Sequence, residues 1–189
     1  MDLRLDRVGL LLDQFESSCE LSKARLDGMT DDEYLWKPTP GSLSIRPAAE
    51  VGTSALGRGD WRLEWPRPEP EPAPMRTMAW LLGHLYDGFL GRYEWTFGAR
   101  RADPRTLATF TPSAAEALAR LWELLDRWKD AVAGLTDEQL DRPGFGQYPF
   151  GLDPQLPFIG IVWWTNRELI HHLAEVALLR DLYAARGAP

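Results

Sequence analysis

Two short stretches far apart in the chain, GMTDDE from Gly28 and GLTDEQ from Gly134, have the same design. Each opens on a glycine suited to the end of a helix, followed by a threonine and, three residues later, by Glu33 or Gln139. That spacing is a capping box, in which side chain and backbone satisfy each other's free donors at a helix start. Pro38 and Pro40 stop the first short turn and Pro143 stops the second. Each copy follows one long amphipathic stretch and precedes another. The pattern therefore predicts two helix pairs related by approximate two-fold symmetry.

The first long helix is expected from Leu3 to Leu26, where Leu3, Leu5, Val8, Leu11, Leu12, Phe15, Cys19 and Leu21 recur at mostly helical spacing. A second spans Met75 to Phe97. A third runs from Ser113, which forms a capping box with Glu116, to Ala133, with Leu118, Leu121, Trp122, Leu125, Trp128 and Val132 as its stripe. A fourth begins near Pro157 and reaches Ala185. Between the first two lies GRGDWRLEWPRPEPEPAP, residues 57–74, with proline at every second position from Pro66 to Pro74. Proline removes a donor and fixes its backbone, so this is an extended crossover. Its DWRLEW portion is either a short strand or a pair of tryptophans packed on the bundle. The expected fold is all-α: one four-helix bundle domain over residues 1–189, with no convincing sheet and a long crossover between helices one and two. The turn-rich GFGQYPFGLDPQLP precedes the last helix.

A chain of 189 residues suits one domain, and its net charge of −7 argues against a nucleic-acid partner. GARRADPR, the one dense basic cluster, reads as a loop. Cys19 is the only cysteine, which excludes an intrachain disulfide and a cysteine-built zinc site; it reads as a small core residue. No leader sequence is visible and no stretch reaches the roughly 20 apolar residues of a membrane span. A cytoplasmic protein with a small-molecule substrate and no membrane partner is expected. Most of the nine tryptophans belong to a helical core, while Trp80, Trp163 and Trp164 are candidates for pocket walls.

The stretch NRELIHHLAE, residues 166–175, places Glu168, His171, His172 and Glu175 on an otherwise apolar helix. At about 100° per residue, His172 lies roughly 40° from Glu168 and one turn along. Glu175 falls about 20° to the other side and His171 about 60° off. Glu168 and His172 are thus an i, i+4 pair, either a simple ion pair or a two-ligand chelate. The remaining histidine, His84, sits in WLLGHLYDGFLG on the second helix, among Gly83, Gly88 and Gly91. Glycines inside a helix cost about 1 kcal/mol each, which close packing or space for a ligand would have to offset. A ligand from one helix and a chelating pair from another make a three-ligand site with open positions, as catalytic metal sites have.

The chain resembles the DinB/YfiT-like proteins, which include the mycothiol-dependent maleylpyruvate isomerases. The resemblance runs over nearly the whole chain: MTDDEYLWKPTPGSLS stands where the family has LTDEELxWxPxPGSxS-like text, and LLGHL where it has LLxHL. HHLAE aligns with the HHRGQ of the family's last helix. It implies a metal triad of His84, Glu168 and His172, with Glu175 at the glutamine position. By its implication the protein is a divalent-metal enzyme of thiol-transferase or isomerase type. Zinc or nickel fits the N/O donor set, and mycothiol or another small thiol serves as cosubstrate, since the chain offers no suitable cysteine. Asp87, His171 and Glu175 are candidates to orient the ligands. The rival readings are a non-catalytic, stress-associated binding module or homodimer of the same fold, and a metal-dependent hydrolase.

Overall fold

The computed structural model describes residues 6–100, 107–143 and 155–186. Its first helix, α1 (Arg7–Leu26), starts where Asp6 accepts a hydrogen bond from the Gly9 N–H at 2.6 Å. It buries Phe15, Cys19 and Leu26. Leu21, expected on that stripe, is 69% exposed, because it stands about 120° round the helix from Phe15. Leu3 and Leu5 lie outside the described residues. The first capping box opens the short α2 (Asp31–Tyr34), with Thr30 and Glu33 bonded reciprocally.

The crossover is more structured than a proline-rich linker suggests. Residues of β1 (Ile45–Pro47) pair antiparallel with β2 (Trp61–Leu63), so DWRLEW does contribute a strand and the all-helical expectation gains a small hairpin. Leu43 then bonds to the Met75 carbonyl and accepts from the Thr77 N–H, which holds residues 75–77 extended. Helix α3 (Met78–Thr96) consequently begins at Met78, capped by Thr77, three residues later than periodicity alone predicts. Helix α4 (Ala114–Ala133) is capped by Ser113, and the second capping box opens α5 (Asp137–Asp141). Pro157 caps α6 (Phe158–Ala185) from outside, with an extended backbone, rather than occupying its first turn. Most of GFGQYPFGLDPQLP and the end of GARRADPR lie outside the described residues.

Helix α6 packs against α1 and α3, α3 packs against α4, and α1 closes the ring more loosely on α4. The core they share includes Phe15, Leu82, Leu85, Phe89, Leu121, Leu125, Trp128, Ile161, Leu169 and Val176, all at or below 2% exposure. Burying each such side chain stabilises the fold by about 1.5–3 kcal/mol. Edge-on ring contacts, Phe89 with Trp128 at 5.7 Å and Phe97 with Phe158 at 6.1 Å, fix their relative positions.

The repeated short helices brace the bundle. Arg180 of α6 donates to the carbonyls of Arg25 and Asp27 at the end of α1, and its Nε meets Glu33 of the first capping box at 3.1 Å. Asp31 accepts from the Ala114 N–H, capping α4 from α2. At the second copy, Arg7 of α1 grips Asp141 of α5 at 2.6 Å. Among the described residues no helix is long and apolar enough to cross a membrane.

Candidate metal centre

The contact between α3 and α6 brings together the residues singled out by spacing. One nitrogen of His84, one of His172 and one oxygen of Glu168 all lie within 4.8 Å of one another. His172 Nε2 stands 3.4 Å from Glu168 Oε2, and His84 Nε2 stands 3.9 Å from the same oxygen. The two imidazoles meet edge to face, with ring centres 4.9 Å apart. All three side chains are half-buried, between 15% and 28% exposed, so the cluster is sheltered yet open to a small molecule.

Each member is held by a neighbour. His172 Nδ1 lies 2.7 Å from Glu175 Oε2. A carboxylate only accepts, so Nδ1 carries the proton and the Nε2 lone pair is turned toward Glu168. Burial lowers the His172 pKa, against the raising influence of Glu175, which favours this neutral form. An imidazole lone pair and a carboxylate oxygen then face each other with no proton between them. A cation resolves that mismatch, and the set of two imidazoles and one carboxylate suits a divalent transition ion. The Glu168 carboxyl is held down to about 2, first by the facing His84, against its burial, with Arg167 and His172 adding to the effect. Arg167 donates to Glu168 Oε1 at 2.6 Å, leaving Oε2 toward the histidines.

His84 is positioned by aromatic rings. Its imidazole stacks on Trp80 at 5.2 Å and on Trp65 at 5.7 Å, and those two indoles stack on each other at 5.3 Å, within 7° of parallel. The Trp80 indole N–H donates to the Glu64 carbonyl at 2.7 Å, tying α3 to the residue that follows β2. Gly83 lets that hairpin approach: a Cβ there would meet Leu63 at 3.1 Å and Phe110 at 3.4 Å. Close packing is therefore the physical reason for this glycine, whereas Gly88 faces open space.

The other candidates fall in different places. Glu175 supports His172, and His171 is 64% exposed with Nε2 3.3 Å from Glu175 Oε1. His171, His172 and Glu175 also lie within ligand range of one another. That second group sits on one helix and takes in the largely exposed His171, whereas the interhelical cluster draws its ligands from two packed helices and is the better site. Asp87, one turn beyond His84, has its carboxyl pushed up to about 7 by burial. No hydrogen bond joins it to His84 among the described residues. Trp80 walls the cluster. Trp163 and Trp164 instead lie under Arg167 and Arg92, at 5.8 and 5.2 Å. Spacing did not single out Trp65. Its signal was the second tryptophan of DWRLEW, which a strand of known length would have placed beside α3.

A helical bundle in which two adjacent helices carry a His/Glu/His cluster defines a class of metal-capable scaffolds. The family model of the DinB superfamily matches residues 14–176, and the chain belongs to that superfamily. No curated protein and no solved structure matches it.

Proposed function

We propose that the protein binds one divalent ion, zinc or nickel, through His84, Glu168 and His172, and uses it to transfer a low-molecular-weight thiol to a small electrophile. The observation that supports this best is the convergence of one nitrogen each from His84 and His172 and one oxygen of Glu168 within 4.8 Å, with the other His172 nitrogen 2.7 Å from Glu175. A divalent ion held there supplies Lewis acidity, which generates a nucleophile from a thiol or water at neutral pH. The chain's own residues orient and shelter. Glu175 fixes the His172 tautomer, Arg167 aims the Glu168 carboxylate, and Trp65 with Trp80 hold the His84 ring.

The thiol comes from a cosubstrate, because the chain's single cysteine is buried and its thiol is pushed up to about 12. The test is an assay of the zinc-loaded protein with electrophilic substrates, run with mycothiol, with other small thiols and with water alone. Turnover that needs a thiol supports the transferase, and turnover with water alone supports the hydrolase.

One observation favours a second reading, a non-catalytic homodimer. Trp163, Ile170, Leu178 and Leu182 form an exposed apolar row along α6, with Leu10 and Leu21 exposed on α1. A dimer by light scattering, together with silence in every assay, supports that reading.

A further inference from the structure

Trp65, which stacks on His84, also lines a second space that contains none of the three triad residues. The crossover encloses a cleft of about 280 Å3 whose apolar wall includes Leu43, Val51, Ala55, Trp65 and Pro66. A smaller recess of about 60 Å3 shares Leu43, Trp65, Pro66 and Arg67 with it and is lined in addition by Arg76 and Trp80.

The charges around these spaces are nearly all accounted for. Glu64 accepts from the Ser44 N–H at 2.8 Å and pairs with Arg46 at 2.9 Å. Arg76 pairs with Glu69 at 2.7 Å and lies over the Trp80 ring at 4.9 Å. Arg67 is the exception. Its guanidinium lies 5.4 Å from the Trp65 ring centre and has no carboxylate partner among the described residues. A cleft of mixed lining, with an apolar wall at Trp65 and Pro66 and a planar cation that has no carboxylate partner among the described residues, matches an apolar body that ends in a carboxylate, which arginine binds in a two-pronged geometry.

We propose that this cleft binds a small amphipathic monocarboxylate, its apolar body against Trp65 and Pro66 and its carboxylate on Arg67. The size points to a small ligand, since sites for drug-sized molecules run from about 300 to 1,000 Å3. The charge points to a monoanion: Glu64 and Glu69 are already paired with Arg46 and Arg76, which leaves the single positive charge of Arg67 to match one carboxylate. The inference does not depend on a metal at the triad.

The experiment is calorimetric titration of the full-length protein with phenylacetate, with phenylacetamide and inorganic phosphate as comparators. Saturable binding of phenylacetate is expected, at least tenfold weaker for phenylacetamide, with phosphate weaker still. Arg67→Gln is expected to weaken phenylacetate at least tenfold, and the exposure of Arg67 keeps that variant folded. His172→Ala is expected to leave phenylacetate affinity unchanged, which separates this cleft from the triad. Equal binding by wild type and Arg67→Gln overturns the proposal, as does equal affinity for acid and amide. So do absent binding of phenylacetate, phosphate binding more tightly, and loss of phenylacetate binding in His172→Ala, which would put the carboxylate at the triad.

Discussion

At the scale of single residues, His172 uses both ring nitrogens: Nδ1 is committed to Glu175, so Nε2 is left to face Glu168. Removing the partner therefore frees the ring without touching the ligand set. Glu175→Ala is expected to weaken zinc binding by about 10–100-fold, the range found when a group orienting a ligand imidazole is lost. Glu175→Gln should lose less, because its amide oxygen still accepts from Nδ1; equal losses in both would deny the orienting role. Cys19 gives a second residue-scale test. Its thiol, buried and raised to about 12, is expected to resist iodoacetamide at pH 8 in the folded protein and to react fully once unfolded. Rapid labelling of the native protein would contradict this burial. Glu168 and His172 were legible from sequence because the helical period converts spacing directly into angle. The interaction of Glu175 was legible only as proximity, since a tautomer depends on atomic positions. Leu21 misled because α1 has little buried surface, so an off-stripe leucine hardly disturbs the apparent pattern.

At the scale of elements, the short helices and the hairpin decide how the long helices meet. Glu33 belongs to three contacts at once: the α2 capping box, Arg180 of α6 and, through Arg180, the end of α1. Its burial alone would raise its pKa, but the hydrogen bonds from Thr30 and Arg180 prevail and the net shift is downward. A carboxylate depressed in the folded state contributes stability above its unfolded pKa and loses it as pH falls toward the folded value. Wild type is therefore expected to lose more stability than Glu33→Gln on acidification from about pH 5, the difference being read from urea midpoints. Parallel loss in both proteins would remove Glu33 from the account of acid sensitivity. Gly57 carries the other element-scale prediction. It adopts φ of +90° where the crossover meets residues 108–110, and a Cβ there would run into the Phe110 ring. Gly57→Ala is expected to destabilise the protein by about 2–3 kcal/mol, measured by thermal or chemical unfolding. The long helices were readable from periodicity, and the Thr30/Glu33 and Thr136/Gln139 capping boxes from their four-residue signature. The Ser113/Glu116 box expected at α4 forms only in half: Ser113 accepts from the Glu116 N–H, but the Glu116 carboxylate is taken by Thr111 and Arg120. The hairpin was not, because three-residue strands carry too little alternation, and Trp65 was hidden with it.

At the scale of the whole molecule, the candidate centre joins α3 to α6, which meet across the bundle while α1 and α4 pack on their other sides. An ion bound by both helices favours the folded state by mass action, about 2.7 kcal/mol at a free concentration 100 times Kd. Zinc is thus expected to raise the melting temperature of wild type but not of His84→Ala, Glu168→Ala or His172→Ala. The most direct measurement is metal content per chain in protein purified without a histidine tag and dialysed against zinc. About one ion per wild-type chain is expected, far less in each of the three triad variants, and no change in His171→Ala. A wild type that retains no ion, or one whose ion is lost with His171 and kept without His84, would contradict a centre built between the two helices.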